Sequence, residues 1–395
     1  MVAIVTDVHY RMSLALIRDL GEAGVDVICC ESDRYRGNRS SPPLGALSRF
    51  VKRHIWISEN AYVEGLLDLC RKVGEEYGAK PALLPVGAAS LSIISENRNA
   101  FDAVCGLLIP TAEQLDLFNS KVQLAELAKT LDVPAPKSFS REDGESVEVF
   151  AARLTYPCVI KPICGEKLGL SAAQRYVFCD TASEAIQAFE RFRDLAGEDP
   201  VVQQRLMGGG YGCSVLAVNG KIIQSICHRR IREYPISGGP SSCCVCVERP
   251  DLLAIAERLV SHTGYSGLAM FEFKEDSEGN PYLLEVNPRI WGTFPLTRVS
   301  KSDVSLLWCT LAWNAGNPKR ACVLPEIAKP ENRKMIFAVS DVMAGINYLR
   351  RGKIGQAFGA AFDLLNPIVR DGLFEWKDRR PAFAYYKALL AKERH

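Results

Sequence analysis

Alternating apolar and polar positions divide the chain into short strand-like runs and longer helical stretches. Val2-Ala3-Ile4-Val5-Thr6 is a β-branched run, and Ser13 to Leu20 has helical spacing that stops at Gly21. A second run, Val25 to Cys29, follows Gly24 directly, which is the strand–helix–strand order of a parallel sheet. The helix-like Tyr62 to Tyr77 and the strand-like Pro81 to Pro85 repeat that order. Residues 1–115 are therefore expected to form a Rossmann-like layer. No G-x-G-x-x-G follows the first strand, so the dinucleotide fingerprint is missing.

The pattern changes at Asn119-Ser120-Lys121, where a capping residue opens a helix over Val122 to Leu131. The Val133-Pro134-Ala135-Pro136 stretch marks a boundary. Beyond it come a strand over Cys158 to Lys161, the loop Gly165 to Gly169, a strand near Arg175 to Cys179 and a helix over Ser183 to Leu195. Val201 to Leu206 runs into Gly208-Gly209-Gly210, and two further strands meet at Asn219-Gly220, a strong two-residue hairpin signal. The expected units are 1–115, then 116–204 with a linker helix, then 205–325, then a mostly helical extension over 326–395. That extension includes helical pieces over Val342 to Leu349 and Ala382 to Lys392 and carries no legible chemistry.

Composition narrows the class. With 395 residues and 48% hydrophobic positions, the chain can bury more than one core. A formal net charge of +2 gives no support for nucleic-acid binding. Fourteen cysteines invite a disulfide or zinc reading, but the N-terminus lacks a secretory pattern and no paired C-x₂-C arrangement occurs. Reduced, structural thiols and a cytoplasmic location are expected. No apolar run approaches the roughly 20 residues of a membrane span.

The chemistry concentrates in one hairpin. Phe271-Glu272-Phe273-Lys274 and Leu284-Glu285-Val286-Asn287-Pro288-Arg289 flank the polar turn Ser277 to Asn280. An uninterrupted ladder about this turn sets Glu272 opposite Glu285, and puts Met270, Glu272 and Lys274 on one face with Leu283, Glu285 and Asn287. Two carboxylates roughly 5 Å apart repel each other unless a cation lies between them. Two carboxylates and an amide suit Mg²⁺ or Mn²⁺ rather than zinc. Arg289 adds a fixed cation for a phosphate or carboxylate. Spacing alone leaves this metal site and a solvated turn equally open.

Other residues bear on that choice. Lys121 and Lys161 stand where a cation would reach a polyphosphate. The Gly165 to Gly169 loop, with Lys167, has backbone NH groups suited to phosphates. Gln203-Gln204-Arg205-Leu206 enters a triple glycine where a planar base would meet amides and free backbone groups. The sequence His228-Arg229-Arg230-Ile231-Arg232 precedes Gly238-Gly239, and regular alternation sets Arg230 and Arg232 on one face with His228, and Arg229 on the other. This strand reads either as an anion site or as a charged, protected sheet edge.

Over residues 1 to 320 the order of these motifs resembles the ATP-grasp superfamily, in particular the carboxylate–amine ligase group that includes D-aspartate ligase. The E-x-N-P-R segment with its upstream glutamate is the most specific part. The resemblance implies an α/β (α+β) ATP-grasp fold with a Rossmann-like pre-domain and a small helical C-terminal extension. It implies ATP between two sheets, with Lys121, Lys161 and Lys167 on its phosphates and Gln203, Gln204, Arg205 and Leu206 at adenine. Glu272, Glu285 and Asn287 would hold Mg²⁺, with Mn²⁺ an alternative. Arg289, Arg230, Arg232 and Arg229 would stabilise the phosphoryl group and an acyl phosphate. The chain departs from the family pattern where Gln204 replaces a common glutamate and Gly208 to Gly212 replaces an acidic ribose contact. The implied activity joins a small-molecule carboxylate to an amine, with no membrane or nucleic-acid partner and with a homodimer as the default assembly. The alternative is a non-catalytic nucleotide-binding regulator with the same fold.

Overall fold

The computed structural model describes residues 1–36, 42–163, 168, 170, 174–236 and 238–392. The described residues build three sheets. The first is parallel and four-stranded, from β1 (Val2–Val5), β2 (Asp26–Ser32), β3 (Val51–Ile57) and β4 (Ala82–Leu84), in the order β3-β2-β1-β4. The helices expected over Ser13 to Leu20 and Tyr62 to Tyr77 are present, spanning Arg11–Glu22 and Tyr62–Tyr77. β1 and β4 are buried along their whole length, which is why they read as continuous apolar runs rather than alternating ones.

The second sheet is small, with β5 (Ser138–Phe139), β6 (Cys158–Lys161), β7 (Val177–Cys179) and β8 (Val201–Gln204) in the order β5-β8-β6-β7. Its core packs Phe150, Phe189 and Phe192 against Ile160 and Val202. The helix over Ala182–Ala196 that covers it begins in a capping box between Thr181 and Glu184. Ser120 caps the linker helix Lys121–Thr130 through the backbone NH of Gln123, as its sequence suggests.

The third sheet carries the site. β9 (Gly210–Val218), β10 (Lys221–Glu233), β11 (Ser241–Val247), β12 (Gly267–Glu275) and β13 (Pro281–Asn287) are joined by β14 (Lys334–Ile336) and β15 (Arg370–Asp371), in the order β13-β12-β9-β10-β11-β14-β15. Asn219 and Gly220 have φ of 48° and 79°, the paired positive values that let β9 turn tightly into β10. The C-terminal region is thus not only a helical appendage, because β14 and β15 extend this sheet. Strands of three and two residues are too short to leave a period in the sequence.

One face of the large sheet contributes Leu216, Ile226, Cys244, Leu268 and Met270 to the same core as the parallel sheet and the helix Val304–Gly316. The other face packs Tyr211, Cys213, Phe271, Phe273 and Val286 against the helix Pro250–Thr263. Among the described residues thirteen cysteines are free, twelve of them buried. No helix among the described residues is long and apolar enough to cross a membrane.

Candidate active site

Glu272 and Glu285 face each other across β12 and β13, and Met270 pairs with Asn287. Repulsion in the acidic pair is moderated from three sides. The Asn287 carboxamide nitrogen lies 3.2 Å from Glu272 Oε1 and 3.3 Å from Glu285 Oε1, so one amide donates to both carboxylates. Arg230 Nη2 donates to Glu272 Oε2 at 2.7 Å. Arg289 Nη2 donates to the Asn287 carbonyl oxygen at 3.1 Å, which orients the amide. Burial raises the Glu272 carboxyl to about 7; Arg230 opposes that rise and Glu285 adds to it.

Lysines enter from the small sheet. Burial lowers Lys161 to about 8, assisted by the nearby charge of Lys121 and opposed by Glu285. Those couplings place Lys121, Lys161 and Glu285 within one electrostatic neighbourhood, although they come from a linker helix, β6 and β13. On the pre-domain side, Tyr10 lies in the field of Arg289, beside His9, which bonds Glu31 through both its backbone NH and its ring. The loop after β1 thus comes within electrostatic reach of Arg289, although no motif in it reads as functional.

The structure separates the three arginines of β10. A bulge between Arg230 and Arg232 sets Arg230 opposite Cys244 and Arg232 opposite Cys243. Arg230 reaches Glu272. Arg232 is buried instead with Asp341 and Asp363, donating to both at 2.7 Å, so it is spent on a structural network and does not face the carboxylate pair. Arg229 pairs with Tyr211, whose ring packs in the core on the opposite sheet face, and its guanidinium lies 6.0 Å from that ring. Neither Arg229 nor Arg232 joins Arg230 and Arg289.

A second bulge alters the hairpin itself. Register shifts after Glu272, so Phe273 pairs with Leu283 rather than Leu284. Leu283 is consequently core, and Leu284 is exposed. The expectation that Leu283 shares the face of Glu285 fails for this reason.

His228 supplies a feature the sequence pattern missed. It is 1% exposed, and its ring lies over Gly212, where an added Cβ would stand 2.3 Å from His228 Cε1. Gly212 pairs with Glu272 on one side and His228 on the other. The glycine thus leaves a slot between the acidic pair and the imidazole. Nε2 lies 3.3 Å from Thr293 Oγ1, while Nδ1 is buried without a partner. Burial and then Arg230 depress its pKa to about 3, so the ring is neutral at physiological pH. A glycine inside an otherwise apolar strand was the available signal.

These elements match a known family. Residues 197–329 match the family described as ATP-grasp in the biosynthetic pathway with Ter operon. A biotin carboxylase from Campylobacter jejuni, solved as a β,γ-ATP complex, superposes with a TM-score of 0.59 at 16% identity, covering 84% of this chain and 74% of that one. The chain has the ATP-grasp fold. Its sequence is 24% identical over 200 residues to the C-terminal section of the carbamoyl phosphate synthase large chain of Methanopyrus kandleri, covering 46% of this chain and 35% of that one. It is 26% identical over 194 residues to the D-alanine–D-alanine ligase of Laribacter hongkongensis, covering 46% and 58%. The chain therefore spans well under two thirds of the length of these relatives.

The segment Gln203 to Leu206, expected at adenine, is partly committed. Gln203 donates to Ser138 Oγ at 3.0 Å. The backbone NH of Gln204 bonds Lys137, and that of Arg205 bonds Pro157. The Arg205 guanidinium stacks 4.1 Å from the Phe178 ring centroid and reaches Asp180, and Leu206 is buried. The glycines that follow are not open to a base as expected, because the Gly208 NH and the Gly209 carbonyl pair with the backbone of Glu275. An added Cβ at Gly208 would lie 2.6 Å from the Asp276 carbonyl, so this close approach requires glycine. Lys167 and most of its loop fall outside the described residues.

Proposed function

We propose that the chain is an ATP-dependent carboxylate–amine ligase, activating a small-molecule carboxylate such as that of an amino acid and passing it to an amine. The observation that carries this reading is the convergence of Glu272, Glu285 and Asn287 with Lys121, Lys161, Arg230 and Arg289 around one face of the large sheet. Similarity to a D-alanine–D-alanine ligase supports it.

The donor set fits a hard divalent cation, since two carboxylates and a carboxamide supply only oxygen ligands. Burial holds Glu272 at about 7 despite Arg230, with Glu285 adding to the rise, and a bound cation would favour its charged form. Glu272, Glu285 and Asn287 would therefore hold Mg²⁺ or Mn²⁺, which when bound supplies neutralisation of phosphate charge.

The side chains have distinct tasks in this reading. Lys121 and Lys161 hold the phosphates of ATP, and Gln203 to Leu206 line the adenine. Arg289 and Arg230 face the transferring phosphoryl group, where fixed charge and positioning do the catalytic work. A substrate carboxylate oxygen attacks the γ-phosphorus as the β,γ-bridging P–O bond breaks, giving an acyl phosphate and ADP. The amine then attacks the acyl carbon, the C–O bond to phosphate breaks, phosphate leaves with the electron pair, and the amine proton passes to water.

Incubation with Mg-ATP and panels of carboxylates and amines tests this. Carboxylate-dependent ADP release is expected, with hydroxamate formed when hydroxylamine replaces the amine. ADP release indifferent to every carboxylate would overturn the ligase reading.

A further inference from the structure

The C-terminal helices Ala338–Arg350 and Ile354–Leu365 form a hairpin turned at Gly352, whose φ is 70°. They cross closely, because a Cβ on Gly345 would stand 3.1 Å from the Ala360 Cβ. The hairpin is held to the sheet by an unusual concentration of buried charge. Arg232 of β10 bonds Asp341 on the first helix and Asp363 on the second, and Lys334 of β14 donates to Asp363 at 2.8 Å. Both helices are thereby fixed in place relative to β10 and β14.

The outer side of this anchored hairpin is apolar. On the second helix, Ile354, Phe358, Phe362 and Leu365 follow a spacing of four, four and three, which lines one helical face. Phe358 is 72% exposed, Phe362 69% and Leu365 82%. The first helix adds Val342, Ile346 and Leu349 at the same kind of spacing, all exposed. Taking ~150–250 Å² for a complete aromatic side chain, and somewhat less for an aliphatic one, the stripes present on the order of 600 Å² of apolar surface. That is at or above the upper end of the largest patch on an ordinary monomer, roughly 300–600 Å².

We propose that this face is the interface of a homodimer, formed by a second copy of the chain docking the same hairpin across a two-fold axis. The area argues for that occupant. A standard interface buries about 800 Å² per partner, and the more apolar homodimer interfaces are about two-thirds apolar, so the stripes alone supply such a core. Charge argues the same way. From Ile354 to Leu365 the only ionisable side chain is Asp363, and it is turned inward to Arg232 and Lys334. A helix lying on a lipid surface carries lysines and arginines along its polar face, whereas this one has none and the basic residues Arg350, Arg351 and Lys353 are confined to the hairpin's turn. An isologous contact instead sets the uncharged face of each hairpin against its own copy, which produces a four-helix arrangement. The buried clamp fixes the hairpin before association, which lowers the ordering cost of docking.

Sedimentation velocity of the full-length chain at micromolar concentrations tests the assignment. The expected species has twice the 43.6 kDa chain mass. Phe358→Asp combined with Phe362→Asp should weaken dimerisation about a hundredfold or more, with circular dichroism unchanged. Leu365→Glu, at a position already 82% exposed, should also shift the equilibrium to monomer without any risk to folding. Val323→Asp, at a residue 94% exposed elsewhere on the molecule, should leave the dimer intact. A monomeric wild-type chain overturns the proposal, whether or not it binds phosphatidylserine vesicles. A dimer that survives Leu365→Glu and the double substitution overturns it as well.

Discussion

At Asn287 a single carboxamide mediates between two acids and an arginine, and its position explains how Glu272 and Glu285 tolerate facing each other. Glu285 is exposed, so Glu285→Gln should leave the melting temperature unchanged while reducing turnover by at least a hundredfold. That corresponds to about 3 kcal/mol or more of transition-state stabilisation, as expected for loss of a metal ligand. Turnover within a few-fold of wild type would remove Glu285 from the site. Lys161 gives a pH signature. Its pKa of about 8 is depressed from the ordinary lysine value, so the side chain is cationic below that pH and neutral above it. If its charge holds phosphate, kcat/KM for ATP, which reports the free enzyme, should fall with rising pH through a midpoint near 8. Lys161→Arg keeps the cation at all accessible pH and should remove that alkaline limb. A limb at the same pH in the arginine variant assigns it to another group.

At the level of elements, regular period was legible and its interruptions were not. The helix Tyr62–Tyr77, the strand Cys158–Lys161 and the turn at Asn219-Gly220 follow from spacing and turn chemistry, and so does the facing of Glu272 and Glu285. The bulges do not follow. One extra residue near Ile231 sends Arg232 away from Arg230, and one at Leu284 sends Leu283 into the core, because each reverses the alternation of faces beyond it. Ile231 and Leu284 are ordinary strand residues, so nothing in the local sequence marks either position. The approach of the loop after β1 to Arg289 was equally hidden, since tertiary packing alone brings Tyr10 within its field. Gly212 permits a direct test of the slot between strands. Gly212→Ala drives a methyl group into the His228 ring, and should cost roughly 1–3 kcal/mol in chemical denaturation, as overpacking does. Adding His228→Ala should recover much of that loss by vacating the space. A double variant no more stable than Gly212→Ala alone would show that the imidazole is not what occupies the slot.

For the whole molecule, the C-terminal region works as a fastener between units that are distant in sequence. Arg298, in the helix Pro295–Val299 that follows β13, bonds Asp19 and Glu22 of the first helix and Glu375 of the C-terminal segment. Arg18 of that same helix donates to Asp378 at 2.9 Å and to the Leu373 carbonyl at 2.7 Å, and Asp378 also accepts from Ser48 and the Arg49 backbone. Arg232 secures the helical hairpin in the same manner from the other side. Arg18 and Arg232 neutralise buried carboxylates, so removing either leaves uncompensated charge in the interior. Arg232→Ala strands Asp341 and leaves Asp363 with Lys334 as its cation, and should cost about 3–5 kcal/mol, the range for breaking a buried pair by deleting one partner. Because the same guanidinium fixes the face proposed for dimerisation, the variant should also dissociate at higher protein concentration than wild type. Replacing Asp341 and Asp363 with asparagine in the Arg232→Ala background should recover part of the stability by removing the stranded charge. The hairpin would still lack its clamp, so recovered stability without recovered dimerisation is the expected pairing. Denaturation and sedimentation on the same three proteins measure the two effects separately, and a dimer fully restored by the asparagines would mean that charge, not fixation of the helices, governs association.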